Sequence, residues 1–147
     1  MPRYGRQAQK WHSKSTVRVA DTNLLVRLLL GDDAKQLGIV KKLVQREQLF
    51  VPNTVLLELG WVLESLLPDK KHVSPALALL LPMQGLQLEN PPAARLALAW
   101  YEQGMDLADA LHLALSQLHS GFLTFDEKMV KKATKVKPAS RCTVGLP

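Results

Sequence analysis

The chain has 147 residues, of which 47% are hydrophobic and 22% are charged, and its formal net charge is +6. This length and balance predict a single soluble globular domain with a core of its own. A single cysteine, Cys142, excludes an internal disulfide, and the apolar runs are too short to span a bilayer, so we expect a cytoplasmic protein with no membrane role.

Positive charge is concentrated at the two ends of the chain. Residues 1–18 contain five basic side chains, residues 128–147 contain six, and neither segment contains an acid. The residues between them carry all 13 acids and only 8 bases. Basic ends suit a polyanion such as nucleic acid, although solubilising tails would explain them equally well.

From Val17 onward, short β-prone runs alternate with helical ones, whereas residues 1–15 look like a basic extension before a domain over residues 16–147. The first predicted elements are a strand over 17–20, a helix over 24–30 closed by Gly31, a helix from Asp32 or Asp33 to about Gln48, a strand over 49–51 and a helix over 54–67 capped by Asn53. The next ones are a helix opened by Ser74 and Pro75, a strand over 86–88 and a helix that follows Pro91 and Pro92 and runs to Gln103. The last ones are a helix over 107–120 opened by Asp106, a strand over 122–124, a Lys-rich helix from about Glu127 and a strand over 142–144.

This order indicates an α/β protein. Strands separated by helices imply right-handed crossovers and a largely parallel sheet covered by helices. In such sheets the functional groups meet at the carboxyl ends of the strands.

Four carboxylates stand in apolar sequence. Asp21 follows the first predicted strand and Asp126 follows the fourth, so both are expected at the same sheet edge. Glu58 and Asp109 lie within predicted helices. Such acids are hard to explain as solvated surface charges, and their convergence would raise their pKa values by mutual repulsion. A divalent cation would relieve that repulsion, and oxygen ligands without a Cys or His cluster favour Mg²⁺ or Mn²⁺.

Structural roles explain several of these acids equally well. Asp21 and Asp126 are placed to cap the helices that follow them, and Asp106 is a favourable N-cap. Asp109 falls three residues later, like the acid of a capping box, where the helix N-terminus favours its ionised form.

Other polar residues have simpler interpretations. Glu58 could be a buried acid paired with Arg27, and Glu64, six residues further on, is expected to face solvent. His112 follows Asp109 by three residues, but a packing or surface role is favoured, and Cys142 has no evident base nearby and is interpreted as an inert thiol.

Four segments, taken in order, resemble the PIN domain, in particular the VapC-type toxins of bacterial type II toxin–antitoxin pairs. They are VADTNLLVRLLL, VPNTVLLELGWVLE, GMDLADALHLAL and FLTFDEKMVKKA. The resemblance extends from Val17 to about Val144. The basic N-terminal extension is a departure, because many members of the family begin just before the first strand.

The resemblance implies roles for individual residues. The catalytic and metal-binding acids of the family match, in chain order, Asp21, Glu58, Asp109 and Asp126. Thr124 matches a supporting hydroxyl, Asn23 matches the polar position after the first acid, and Asp106 is a further candidate metal ligand.

The resemblance also implies a three-layer α/β/α sandwich with a central, mainly parallel five-stranded sheet. The implied activity is that of an endoribonuclease dependent on Mg²⁺ or Mn²⁺, with tRNA, rRNA or mRNA as substrate. The implied partners are a second copy of the chain and a cognate antitoxin. Two alternatives are a PIN nuclease of RNA processing without an antitoxin and a non-catalytic RNA-binding module, and the complete set of acids favours a nuclease.

Overall fold

A computed structural model describes residues 16–147 of the chain. The predicted basic extension over residues 1–15 lies outside the described residues. No helix of the described part is both long and apolar enough to cross a membrane.

Residues 16–147 alternate five strands with seven α-helices. The strands are β1 (Arg18–Val19), β2 (Leu49–Val51), β3 (Leu86–Leu88), β4 (Gly121–Leu123) and β5 (Thr143–Gly145). The helices are α1 (Thr22–Leu30), α2 (Ala34–Arg46), α3 (Asn53–Leu66), α4 (Val73–Ala78), α5 (Pro91–Glu102), α6 (Leu107–Leu115) and α7 (Glu127–Ala133), with a short 3-10 helix, Lys70–His72, before α4. The predicted α/β alternation is confirmed.

All strand pairs are parallel, and they form two separate sheets. The first sheet has the order β1-β2-β3, with Val19 opposite Phe50, and the second pairs β4 with β5, with Phe122 opposite Val144. The prediction of one central five-stranded sheet is therefore wrong for the described residues. We refer to residues 16–90 as the three-stranded half and to residues 91–147 as the two-stranded half.

Turns follow β1 and β4 directly and keep both strands short. After β1, Asp21 already caps α1, because its Oδ1 accepts a hydrogen bond from the Thr22 amide at 2.8 Å. After β4, the Thr124 hydroxyl oxygen accepts one from the Asp126 amide at 3.0 Å. Strands of two and three residues offer only a short ladder, and Val19 and Leu123 stay 62% and 70% exposed.

Two apolar clusters form the core. One lies among the first sheet, α1, α3 and α4, and the other packs α5 against α6 and α7. Helix α5 contributes to both, with Leu98 in the first cluster and Trp100 in the second, where the indole Nε1 donates to the carbonyl of Pro138 at 2.9 Å. The two halves are thus joined through helices rather than through a shared sheet.

Several helix boundaries differ from their predictions for local reasons. Helix α3 begins at Asn53, whose amide donates to Glu89 Oε2 at 2.7 Å instead of the side chain acting as a cap. Helix α4 begins before Ser74. Helix α6 ends at Leu115, where the backbone amide of the C-cap residue Ser116 donates to the carbonyl of Leu113, three residues earlier.

Candidate active site

Two aspartates cap the helices of the two-stranded half. Asp106 Oδ2 accepts from the amides of Ala108 and Asp109 at 3.0 and 3.3 Å. Asp126 Oδ1 accepts from the first amides of α7 at 2.9 and 3.1 Å. The predicted capping roles are confirmed. Each cap uses one carboxylate oxygen, so the other oxygen of each side chain is left for a different partner.

Asp109 lies between these two caps, in the first turn of α6, and is half-buried. Burial raises its pKa, and the negative charges of Asp106 and Asp126 raise it further, while His112 and Lys132 act in the opposite direction. The repulsion predicted for converging acids is therefore present at this residue. Burial is the largest of these effects, and the net shift is opposite to the one expected from the N-terminus of α6.

Asp106, Asp109 and Asp126 are referred to below as the acidic group. Thr124 supports this acidic group through a hydrogen bond with the backbone. Its hydroxyl oxygen accepts the hydrogen bond from the Asp126 amide and so shapes the turn that delivers the Asp126 carboxylate to α7. The supporting role that the resemblance implies for Thr124 in the reaction stays a prediction.

Asp21 and Asn23 lie in the three-stranded half. Asp21 is exposed and caps α1, directly after β1. The next residue, Thr22, is buried, and its hydroxyl oxygen has no hydrogen-bond partner among the described residues. Asn23 is exposed and borders a surface cavity between α1 and α2, together with Arg27 and Gln36.

Glu58 contradicts the expectation drawn from its apolar neighbours. It is exposed, on the same side of α3 as Trp61, which is 52% exposed, while Leu56 and Leu59 are buried. Successive positions of a helix point in different directions, so Glu58 can face outward although Leu56 and Leu59 are buried. The predicted pair with Arg27 is also wrong, because Arg27 binds Asp32 and Gln36, each at 2.7 Å.

The predicted convergence of all four acids is not reached within residues 16–147. No group of three or more acid, imidazole or thiol side chains in that range is gathered closely enough to hold a metal ion. Donor chemistry nevertheless fits a hard divalent cation, because the candidate donors are all carboxylates and a cation would relieve the repulsion that, after burial, raises the pKa of Asp109.

A family model of the PIN domain matches residues 18–135, a range that contains every one of these acids. The chain belongs to the PIN domain family. PIN domains are generally nucleases, and they typically use divalent metal ions. No curated protein and no solved structure matches the chain.

The sequence interpretation missed one side of the acidic group in this PIN domain. Glu64, which was expected to face solvent, has a side chain only 19% exposed, and its Oε1 accepts a hydrogen bond from the Tyr101 hydroxyl at 2.9 Å. Glu64 follows buried Gly60 by one helical turn, and this i, i+4 spacing is the signal that could have placed it. No comparable signal in the sequence connects it with Tyr101.

Burial raises the pKa of Tyr101 to about 12, with further contributions from Glu64 and Asp106. The Tyr101 hydroxyl therefore stays protonated across the physiological range and acts as a donor. The influence of Asp106 also connects Tyr101 with the capping aspartates of the PIN domain.

Proposed function

We propose that this PIN domain is a metal-dependent endoribonuclease and the toxin component of a type II toxin–antitoxin pair, of the VapC type. The observation that carries the nuclease proposal is Asp109, whose pKa is raised by burial and by the charges of Asp106 and Asp126. Clustered carboxylates with perturbed pKa values mark functional sites, and a cation would offset their repulsion.

The acids have distinct places in this proposal. Asp109 and Asp126 would hold Mg²⁺ or Mn²⁺ from the two-stranded half, with Asp106 as a further candidate. Asp21 and Glu58 would join from the three-stranded half. When bound, the ion would supply Lewis-acid stabilisation of the phosphate and lower the pKa of a water molecule.

The chain's own residues would orient this chemistry. The amides at the N-terminus of α7 fix one oxygen of Asp126, and Thr124 fixes the turn before it, so the carboxylate is held before any ligand arrives. Preorganised groups of this kind do not have to reorganise during the reaction, which is the main source of electrostatic catalysis.

RNA is the proposed substrate because of the charge around the acidic group. Helix α7 and the segment after it carry exposed lysines and an arginine: Lys128, Lys131, Lys132, Lys135, Lys137 and Arg141. These side chains suit the phosphate backbone of tRNA, rRNA or mRNA, and Lys132 is near enough to lower the pKa of Asp109.

A homodimer and a cognate antitoxin are the proposed protein partners. Large apolar side chains are exposed on the described surface, among them Trp61, Leu118, Leu123 and Phe125. Where such side chains form a contiguous patch, they are typical of surfaces that bind other proteins. The toxin assignment itself rests on the resemblance of the four acidic segments to VapC-type toxins.

One observation favours a second candidate function, a non-catalytic RNA-binding module. Within the described residues the acids are not gathered into a ligand set of three. If the halves never brought them together, the basic surface would bind RNA without cutting it.

Substitution of Asp21 decides between these functions. Asp21→Asn keeps a residue that caps helices well, so the fold should survive while Mn²⁺-dependent RNA cleavage falls by at least about 100-fold. Asp33→Asn is the matched control, because Asp33 also caps a helix, accepting from the Gln36 amide at 2.9 Å, but is not among the candidate site acids.

The measurement is induced expression followed by sequencing of RNA cleavage ends, together with cleavage of purified RNA with Mn²⁺ or with EDTA. We expect discrete cleavage sites with the natural chain and with Asp33→Asn, and none with Asp21→Asn. Undiminished cleavage by pure Asp21→Asn protein would reject the assignment. Binding of RNA without cleavage at millimolar Mn²⁺ would favour the non-catalytic module.

A further inference from the structure

A cavity of about 580 Å³ opens beside the acidic group of the two-stranded half. It lies where the C-terminal ends of α3 and α5 approach α4 and the start of α6. Its charged lining consists of three acids and three lysines, namely Glu64, Glu102, Asp106, Lys70, Lys71 and Lys132.

The cavity is continuous with the candidate active site through two residues. Asp106 lines the cavity and also accepts from the Asp109 amide. Lys132 lines the cavity and is close enough to Asp109 to lower its pKa. A molecule bound in the cavity would therefore lie next to whatever occupies the acidic group.

Two of the acids are held in place by neutral donors. The hydroxyl of buried Ser74 donates to Glu102 Oε1 at 2.7 Å, and the Tyr101 hydroxyl donates to Glu64 Oε1 at 2.9 Å. Because a carboxylate has about four acceptor sites, each side chain still offers acceptors to a ligand. Glu64 is the more enclosed of the two, and Lys70 Nζ lies 3.9 Å from its Oε2.

This lining selects for a particular ligand chemistry. A simple anion would meet three carboxylates, and a simple cation would meet three lysines, so neither is well matched. A nucleotide presents an anionic phosphate at one end and a base with hydrogen-bond donors at the other. Guanine is the base whose edge places the N1–H and N2–H₂ donors side by side, and this pair matches the two oxygens of one carboxylate.

We propose that this cavity binds one unpaired guanine nucleotide of the RNA substrate, next to the phosphate that is cut. Glu64 accepts from the guanine edge, and the three lysines contact the flanking phosphates. This inference rests on the proposed nuclease function, since the shared residues Asp106 and Lys132 place the nucleotide beside the acidic group. An arginine-bearing peptide offers a similar pair of donors, but the lysines would repel it.

The test measures binding and cleavage separately on the full chain. Fluorescence anisotropy in EDTA would compare short oligouridines that contain one guanosine, one inosine or one adenosine. We expect about tenfold tighter binding of the guanosine oligomer than of the adenosine oligomer, with inosine between them because it lacks the N2 amino group. Glu64→Gln, which can still accept from Tyr101, should remove this preference and leave the binding of plain oligouridine within about twofold.

Two further variants test whether the guanine preference depends specifically on the Glu64 carboxylate and on the hydrogen bond that holds it. Glu47→Gln changes the carboxylate at the C-cap of α2, which pairs with Arg18 and does not line the cavity, and it should keep the guanine preference. Tyr101→Phe leaves the charge of Glu64 but removes the donor that holds it, so the preference should weaken without a uniform loss of RNA binding. A thermal melt of each variant checks that the fold is retained.

The outcomes separate this inference from the proposed function. Equal binding of the three oligomers by the natural chain, or an unchanged preference in Glu64→Gln, would overturn the guanine site even if RNA is cut. A preference that depends on Glu64 in EDTA, without cleavage in Mn²⁺, would support the nucleotide site and reject the nuclease. An arginine peptide that binds more tightly than the guanosine oligomer, and only when Glu64 is present, would overturn the RNA assignment.

Discussion

The acids of the two halves differ in how they meet solvent and one another. In the two-stranded half, Asp109 is half-buried and responds to the charges of Asp106 and Asp126. In the three-stranded half, Asp21 and Glu58 are exposed, on the caps and outer faces of helices. A cation would gain most where repulsion is already present, so in the proposed site the two-stranded half would contribute most to holding a metal.

The largest expected effect is on the affinity for metal. Asp109→Asn should weaken the binding of Mn²⁺ by roughly 10-fold to 100-fold, because it removes the carboxylate at the centre of the repelling group. Glu58→Gln should weaken it by less than about 10-fold, since Glu58 is exposed and is not among the charges that act on Asp109. Isothermal titration calorimetry of RNA-free protein at pH 7 measures both.

The ratio of these two losses of Mn²⁺ affinity shows which half contributes more to the proposed metal site. Equal losses would show that the two halves come together before RNA binds, and a larger loss for Glu58→Gln would reverse the assignment of the halves. Glu127→Gln is a suitable control, because Glu127 is an exposed acid in the first turn of α7 that is not among the candidate ligands.

The next-largest expected effect concerns a contact between α3 and α6, which belong to different halves. A Cβ added to Gly60 in α3 would overlap the Leu107 side chain at the start of α6. Gly60→Ala should therefore push apart the helices that carry Glu58 and Asp109, with a loss of about 1–3 kcal/mol in the free energy of unfolding. Cleavage should fall by about 10-fold to 100-fold, because small displacements of catalytic groups are costly.

Gly38→Ala in α2 is the matched control for this prediction. A Cβ at Gly38 meets no other atom within 4 Å, so alanine should stabilise the helix by about 0.5–1 kcal/mol and leave cleavage unchanged. Urea unfolding and cleavage assays on both variants would test the pair. A Gly60→Ala protein with natural stability and cleavage would show that Leu107 moves aside freely and that the spacing of α3 and α6 does not matter.

The sequence predicted the order of the elements and the caps because these depend on local chemistry. Asp106 and Asp126 each precede a predicted helix and cap it as expected, and Asp33, one of two residues predicted to cap α2, caps that helix. Parallel pairing also followed from the alternation of strands and helices. The family model supports the same conclusion over residues 18–135.

The failures of prediction concern relations between distant residues. The exposure of Glu58 depends on how α3 is rotated over the core, which its apolar neighbours alone do not determine. The division of the strands between two sheets depends on how distant elements pack, and the hydrogen bond from Tyr101 to Glu64 links residues 37 positions apart. Periodicity reports which residues share a helix face, but not which element that face meets.

The smallest expected effect is on the free energy of unfolding, and the direction of this effect follows from the pKa shift of Asp109. The pKa of Asp109 is raised in the folded state by burial and by its acidic neighbours, so the folded protein binds this proton more tightly than the unfolded chain does. The stability contributed by protonation is fully present below the ordinary pKa of an aspartate and is lost as the pH rises through the raised, folded value. At pH 7 the ionised Asp109 is therefore destabilising.

Asp109→Asn should consequently raise the free energy of unfolding at pH 7 by about 0.2–0.5 kcal/mol for each like-charged neighbour that it no longer meets. The gain should shrink as the pH falls through the raised pKa of the folded side chain, and it should be gone below the ordinary pKa of an aspartate, where the natural side chain is protonated in both states. Urea unfolding followed by circular dichroism between pH 3 and 7 measures this difference, with Asp33→Asn as the control. A variant that is less stable at pH 7 would mean that the N-terminus of α6 stabilises the Asp109 charge more than its neighbours oppose it, and the acids of the two halves would then be alike.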